Sequence, residues 1–276
     1  IVQAMQRCLP AALLLLASAA FASQDDLATA ARRPNIVVIF TDDHGWADLG
    51  AQGVRQDIRT PHLDALAAAG VRLTAGYVTA PQCVPSRAGL LTGRYQNRFG
   101  LESNAEYQQP GGLDGFNAEV TIAERLQAAG YATGMAGKWH LGPPTQIGQH
   151  GFDRFLFKHN NAAGVWNGPL DGPAHPPGKH PAGGYHLDVA SNACCSFIEQ
   201  HQGGPFFFYL AYRAPHTPLD APARYTDRFP GKMPERRRQA LAMLSAVDDG
   251  VGRIVATLRR LKLEENTLIF FLGDNG

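Results

Sequence analysis

The segment NIVVIF, residues 35–40, is followed directly by the polar stretch TDDHG, residues 41–45. An almost continuous apolar run of this length predicts a β-strand that is covered on both faces, as the central strands of parallel sheets are. Short apolar runs alternate with helical patterns along the rest of the chain, and this alternation is typical of α/β proteins. We therefore expect an α/β fold with a mainly parallel central sheet and helices on both faces.

The same patterns place further elements along the chain. Strands are predicted at residues 71–77, 131–135, 205–212 and 267–272. Helices are predicted at residues 61–69, 120–129, 187–197 and 236–261. Residues 158–184 are rich in Gly, Pro, Asn and His and have no periodicity, so we expect a long loop there, of the kind that often carries function. The chain shows no internal repeat and no obvious linker, which favours a single domain.

Composition limits the possible partners of the protein. Its 276 residues include 25 Lys and Arg against 24 Asp and Glu, and 45% of the residues are apolar. The balanced charge argues against binding to nucleic acid or to an anionic membrane, because both need a marked basic excess. The apolar fraction is ordinary for a globular protein with a core. We therefore expect ligand recognition in a local pocket.

Residues 1–22 are typical of a signal peptide. Arg7 precedes an apolar run over residues 9–20, and Ala20-Phe21-Ala22 offers small residues at the positions that a signal peptidase requires. The pattern predicts export to the periplasm or to the outside of the cell. The apolar run is short and rich in alanine, so no stable membrane span is expected, and a retained anchor is the alternative.

Polar side chains follow three of the predicted strands at the point where each strand ends. Asp42 and Asp43 follow the first, His216 follows the strand at 205–212, and Asp274 and Asn275 follow the last. The carboxyl ends of parallel strands form the edge at which ligands bind. Carboxylate and amide oxygens suit Ca²⁺ or Mg²⁺ and are poorly suited to zinc. A divalent metal site is therefore predicted at this edge, with helix caps or turns as the alternative for each pair.

Cys83 opens the segment CVPSRAGLLTGR, residues 83–94. Loss of the signal would leave an odd number of cysteines, Cys83, Cys194 and Cys195, which argues against a disulfide framework. Cys83 is expected just before the N-terminus of a helix, where backbone amides and the helix dipole lower the pKa of a thiol. Arg87, one turn further on, would add a permanent positive charge. The alternative is an ordinary helix start with a buried thiol.

The segment from Cys83 resembles the signature of sulfatases, in which this cysteine is converted to Cα-formylglycine by a maturation enzyme. Five further segments in family order support the resemblance: RPNIVVIFTDDHGWADLG (33–50), TPHLDALAAAGVRLTAGYV (60–78), GKWHLG (137–142), APHTPL (214–219) and GDNG (273–276). The resemblance implies the alkaline-phosphatase-like sulfatase fold and the hydrolysis of sulfate esters. The implied substrate is a sulfated carbohydrate or an aryl sulfate.

The resemblance also implies residue roles. One Ca²⁺ ion per chain would be bound by the modified Cys83 together with Asp42, Asp43, Asp274 and Asn275. The implied catalytic residues are Cys83, Arg87, Lys138, His140 and His216. Arg87 and Lys138 would hold the hydrated aldehyde and the sulfate oxygens. His140 would be the base that collapses the covalent sulfate ester, and His216 would assist departure of the alcohol.

Sulfatases normally continue beyond GDNG with a further active-site lysine and a smaller C-terminal subdomain. The resemblance therefore implies that residues 33–276 are the N-terminal catalytic domain of a truncated chain that lacks this subdomain. Two alternatives remain. The first is a phosphonate or phosphate monoester hydrolase of the same superfamily. The second is an inactive, truncated sulfatase-like binding protein.

Overall fold

Within residues 33–158 and 184–275, which this computed structural model describes, five strands lie side by side in one sheet. Their bounds are Asn35–Asp42 (β1), Ala132–Lys138 (β2), Arg154–Lys158 (β3), Phe206–Pro215 (β4) and Thr267–Gly273 (β5). All of the pairings are parallel, in the order β3-β2-β4-β1-β5. The mainly parallel sheet expected from the sequence is therefore confirmed.

The helices connect these strands. Their bounds are Pro61–Ala69 (α1), Cys83–Thr92 (α2), Asp114–Asn117 (α3), Ile122–Ala128 (α4), His186–Gln200 (α5), Ala223–Thr226 (α6) and Glu235–Arg260 (α7). Short 3-10 turns lie at Gly50–Gln52, Gln96–Phe99, Glu106–Gln108, Pro144–Gln146, Gly148–His150 and Glu264–Asn266. The described residues from Pro34 onward form one compact unit.

Identifiable caps explain where two of these helices begin. The helix α4 starts with a capping box, in which the Thr121 hydroxyl accepts from the Glu124 amide and the Glu124 carboxylate accepts from the Thr121 amide. Pro61 opens α1, and the next two amides of that helix donate to the carboxylate of Asp248 on α7, at 3.2 and 2.8 Å. The second of these caps comes from a distant part of the chain.

Helices cover both faces of the sheet. Neighbouring residues of a strand point to opposite faces. In β4, the ring of Phe208 lies 5.0 Å from that of Phe197 on α5, whereas the hydroxyl of the next residue, Tyr209, accepts from Arg87 on α2 at 3.4 Å. The helices α5 and α2 therefore lie on opposite faces, as predicted.

Two local predictions were wrong. Residues 71–77 do not form a strand, and Val71, Leu73 and Tyr77 are exposed. A strand forms where its backbone groups find a partner, and the fifth place in the sheet is taken by β3, a short run between charged residues that the sequence analysis did not predict. Cys83 is the first residue of α2 and does not precede it, because the Ser86 amide already donates to the Gln82 carbonyl at 3.1 Å.

Some predictions fall outside the described residues. These are the signal peptide at 1–22 and nearly all of the long loop at 158–184. Among the residues that are described, none of the helices combines the length and the apolar character that crossing a membrane requires.

Candidate active site

Four charged side chains are buried in contact with one another at the carboxyl edge of the sheet. Asp42 ends β1, Lys138 ends β2, Asp274 follows β5, and Arg87 reaches them from α2; none is more than 1% exposed. The Lys138 Nζ donates to both oxygens of Asp42, at 2.9 and 2.7 Å. One guanidinium nitrogen of Arg87 lies 2.7 Å from Asp274 Oδ2 and 3.3 Å from Asp42 Oδ1. We call these four residues the buried charge cluster.

The two carboxylates of this cluster have opposite pKa shifts. Burial by itself would raise the pKa of Asp42, but Arg87 and Lys138 outweigh it and hold that pKa well below its ordinary value. For Asp274, burial and the nearby charge of Asp42 prevail over the attraction of Arg87 and raise the pKa above its ordinary value. Negative charge is therefore crowded at Asp274, because Asp42 takes the larger share of the available cations.

Cys83 lies against this cluster at the start of α2. The residue is buried, and its Sγ donates to Asp42 Oδ1 at 3.2 Å, while the Asn275 side-chain amide lies 3.9 Å from the same sulfur. Burial and the facing carboxylate of Asp42 raise the pKa of the thiol to about 12. The expectation of a lowered pKa was wrong, because burial and the carboxylate of Asp42 raise this pKa by more than Lys138 and Arg87 lower it. The unmodified thiol is a weak nucleophile at neutral pH.

The start of α2 is fixed by a residue that the sequence analysis missed. The Asn104 side-chain oxygen accepts from the Val84 backbone amide at 2.9 Å, and the Asn104 backbone amide donates to the Gln82 side-chain oxygen at 2.6 Å. No motif marks Asn104 in the sequence. Its role follows from a contact between segments about twenty residues apart.

Asp43 and His216 form the more exposed side of the site. The Asp43 side chain is 45% exposed and its Oδ2 lies 3.6 Å from His216 Nε2. Asp43 has a left-handed backbone with φ of 57°, and its amide donates to Asp274 Oδ1 at 3.1 Å. A left-handed backbone is uncommon outside glycine, and here it accompanies the bond from the Asp43 amide to Asp274.

His140 follows Lys138 by two residues and also has a left-handed backbone, with φ of 59°. Burial, followed by the charges of Lys138 and Arg87, lowers the pKa of His140 to about 3. Its Nδ1 is buried and has no hydrogen-bond partner among the described residues. The Tyr107 ring packs edge-on against the imidazole at 4.9 Å, a contact that the sequence did not reveal. At neutral pH this imidazole is therefore uncharged.

The site can hold a hard divalent cation. Ligand atoms of Asp42, Asp43, Cys83 and His216 all lie within 4.8 Å of one another. Asp274 lies outside that group but next to it, and its Oδ1 accepts from the Asn275 side-chain amide at 3.0 Å. The crowded carboxylates and the raised pKa of Asp274 indicate negative charge that a cation would relieve. The oxygen donors at this edge suit Ca²⁺ or Mg²⁺.

His44 does not belong to the site. Its ring is buried and lies between the hydroxyl of Thr41, at 3.2 Å, and the carbonyl of Asp48, at 2.7 Å. One ring nitrogen has its partner near the end of β1 and the other in the loop that follows, so His44 is a structural residue that holds the turn after β1.

Comparisons with known proteins agree with this arrangement. The model of the family described as Sulfatase matches residues 34–276. The chain belongs to the sulfatase family. This sulfatase-family chain is 37% identical over 282 residues to arylsulfatase A of Bos taurus, covering 90% of this chain and 53% of that protein. It is 34% identical over 263 residues to arylsulfatase J of Mus musculus, covering 88% of this chain and 43% of that protein. The chain thus spans about half the length of these relatives.

Solved structures share the fold of this sulfatase-family chain. The crystal structure of Ps i-CgsB in complex with k-i-k-neocarrahexaose matches with a TM-score of 0.77 and 33% identity, covering 89% of this chain and 59% of that one. The phosphonate monoester hydrolase of Agrobacterium radiobacter matches with a TM-score of 0.63 and 19% identity, covering 88% of this chain and 62% of that one, and this likeness concerns the fold alone. The resemblance found in the sequence is confirmed at the level of family and fold.

Proposed function

We propose that the protein hydrolyses sulfate esters of carbohydrates or of aryl alcohols, with residues 33–276 as its catalytic domain. The observation that carries this proposal is the position of Cys83, whose sulfur lies 3.2 Å from a carboxylate that Lys138 and Arg87 also contact. A side chain at position 83 that attacks sulfur would do so beside two cations, where the negative oxygens of a sulfate are favoured.

The encoded thiol does not suit this chemistry, because its pKa of about 12 leaves it protonated at neutral pH. We therefore propose that a maturation enzyme converts Cys83 to formylglycine. The hydrated aldehyde supplies two hydroxyls on one carbon, so that one attacks sulfur with loss of the alcohol and deprotonation of the other expels sulfate and restores the aldehyde.

Arg87 and Lys138 would stabilise the charge on the oxygens of the transferring sulfuryl group. The guanidinium remains charged at any ordinary pH, and both cations are held in place by carboxylates of the buried charge cluster. Groups fixed in this way need no rearrangement during the reaction, which is the main source of electrostatic catalysis.

We further propose that one Ca²⁺ ion is held by the modified Cys83 together with Asp42, Asp43, Asp274 and Asn275. The fit rests on the hard oxygen donors and on the crowded negative charge at Asp274. A bound divalent cation supplies neutralisation of these carboxylates and polarisation of a sulfate oxygen.

The two histidines would handle the protons. We assign to His140 the removal of the proton from the second hydroxyl of residue 83, because its buried Nδ1 has no hydrogen-bond partner among the described residues. His216 lies on the more exposed side of the site, 3.6 Å from Asp43, where the leaving alcohol would depart. We assign to His216 the donation of a proton to that alcohol. Export to the periplasm or to the outside of the cell remains a prediction of residues 1–22.

The decisive test compares sulfate release from 4-nitrophenyl sulfate by wild-type protein and by Cys83→Ala, both co-produced with a maturation enzyme. Loss of the nucleophile should lower the rate on the order of 10⁴-fold or more. Cys194→Ala is the matched control, because Cys194 is a buried thiol on α5, on the opposite face of the sheet from α2.

Other outcomes separate the alternatives. Equal rates for wild type and Cys83→Ala would contradict the proposed enzyme and favour a binding protein. Faster turnover of 4-nitrophenyl phosphate, or of a phenyl phosphonate monoester, than of the sulfate would favour a phosphonate or phosphate monoester hydrolase.

A further inference from the structure

Arg213 lies under the loop that carries His216, and it is almost completely buried. One guanidinium nitrogen donates to two backbone carbonyls of that loop, those of His216 at 3.1 Å and of Pro218 at 3.0 Å. In return, the His216 amide donates to the Arg213 carbonyl at 2.9 Å. The loop is therefore hydrogen-bonded to both the backbone and the side chain of Arg213.

The second terminal nitrogen of the Arg213 guanidinium group, Nη2, is held by two further side chains. It forms a short ion pair with Asp220 and lies 3.3 Å from His186 Nε2. The same imidazole nitrogen lies 3.6 Å from the Asp220 carboxylate. The guanidinium group is planar, so an ion pair at one terminal nitrogen also fixes the direction in which the other terminal nitrogen donates. In this structure that direction leads to the His216 loop.

The loop needs such support because its own backbone offers few donors. Pro215 and Pro218 flank the segment and have no amide hydrogen, so neither can tie the loop to the sheet by donating a bond. The His216 ring makes a short contact with the Thr217 carbonyl, which belongs to the same loop. Among the contacts described above, the bonds to Arg213 are those that connect the His216 backbone to the body of the fold.

We propose that Arg213 is a positioning residue for His216 and that Asp220 fixes Arg213 in that role. The proposal rests on the function proposed above, in which His216 donates a proton to the leaving alcohol. Arg213 acts through the backbone of His216 and has no contact with the reacting atoms.

This role makes a prediction that general destabilisation does not make. Proton donation matters more when the leaving group is more basic. Phenyl sulfate releases a more basic phenolate than 4-nitrophenyl sulfate does. Displacement of His216 should therefore slow hydrolysis of phenyl sulfate much more than hydrolysis of 4-nitrophenyl sulfate, whereas a loss of folded protein would slow both by the same factor.

The experiment measures kcat/KM for both esters with the matured protein. In Arg213→Met, the loss for phenyl sulfate should be about tenfold larger than the loss for 4-nitrophenyl sulfate. Asp220→Asn should act in the same direction by a smaller factor; its side chain is about one-third exposed, so this variant keeps the test valid if Arg213→Met does not fold. Arg253→Met is the matched control, because Arg253 pairs with Asp188 at 2.9 Å and should show equal losses for both esters.

A double-mutant cycle completes the test. In a His216→Ala background, Arg213→Met should add no further discrimination between the two esters, because the proton donor is already absent. Equal losses for both esters in Arg213→Met and Asp220→Asn, with active wild-type protein, would overturn the positioning role and leave the proposed function intact. Wild-type protein with verified formylglycine that hydrolyses neither ester would overturn the proposed function, and the positioning role with it.

Discussion

The two sides of the candidate site are held in different ways. Asp42, Arg87, Lys138 and Asp274 are excluded from water and pair with one another, whereas Asp43 and His216 are partly exposed and lie 3.6 Å apart. Removing one member of a buried charge pair leaves an uncompensated charge in a medium of low dielectric constant, and the cost is large. The same change at an exposed position costs little, because water replaces the partner. The buried side should therefore determine stability as well as chemistry, and the exposed side mainly ligand binding and proton transfer.

The largest expected effect is on stability, from Arg87→Met. The change removes the cation that lies 2.7 Å from Asp274 and leaves that carboxylate buried without its partner. We expect the free energy of unfolding to fall by about 3–5 kcal/mol, measured by urea denaturation of calcium-free protein.

Arg94→Met provides the control for this prediction, because Arg94 pairs with Glu119 at the surface and its side chain is 43% exposed. It should lower the free energy of unfolding by less than about 1 kcal/mol. Similar losses for the two variants would show that burial of the charge cluster does not distinguish it from a surface pair.

An intermediate effect is expected on calcium affinity, and it should distinguish Asp43, which affects calcium binding alone, from Asp42, which also affects stability. Asp43→Asn removes one negative oxygen donor, so the calcium affinity should fall by about tenfold or more, measured by titration calorimetry. Because Asp43 is exposed, the calcium-free free energy of unfolding should change by no more than about 0.5 kcal/mol. Asp42→Asn should lose calcium binding and also destabilise the calcium-free protein, because Lys138 would lose both of its charged contacts.

Asp153→Asn is the control for the calcium measurement, since Asp153 precedes β3 and so lies at the opposite edge of the sheet. It should leave the calcium affinity unchanged. The comparison of the two sides would fail if Asp43→Asn and Asp42→Asn destabilised the calcium-free protein equally.

The smallest effect concerns pH and His140. The pKa of His140 is about 3 in the folded protein, whereas its ordinary value, which applies to the unfolded chain, is 6.5. The unfolded chain therefore binds the proton more readily. Stability from this residue is therefore present above about pH 6.5 and is lost as the pH falls toward 3. Between pH 7 and pH 5.5, wild type should lose about 1 kcal/mol more stability than His140→Gln, measured by urea denaturation at each pH. An identical loss in both proteins would mean that the environment of His140 does not disfavour its charged form.

Much of the fold was predictable because a buried parallel strand is recognisable in the sequence as a continuous apolar run. The runs that became β1, β4 and β5 are apolar over most of their length, and each ends in the residues that form the site. Residues 71–77 were also predicted as a strand, but they pair with no strand among the described residues. The strand β3 forms from a run too short and too charged at its ends to be recognised. Strand formation depends on neighbours that are distant in the chain, which local patterns do not contain.

The meeting of several polar side chains at one edge of the sheet was predictable, but the energetics of that edge were not. The position of Asp42, Asp43, Asp274 and Asn275 after strands indicated a common edge. The sequence did not reveal how deeply Cys83 is buried or that it faces Asp42, and these two features raise the pKa of the thiol instead of lowering it. Arg213 went unnoticed because its partners in the His216 loop are backbone carbonyls, which any residue supplies.

The sequence by itself determined the α/β class, the strand-end residues and the signature around Cys83, because each depends on residue type and on spacing along the chain. Only the tertiary structure decided which charges pair, how deeply they are buried and which arginine supports His216. The separations explain this division: Asp42 and Lys138 are 96 residues apart, and Arg87 and Asp274 are 187 apart. Electrostatic energy depends on distance in space and on exclusion of water, and neither quantity is encoded in the local order of residues.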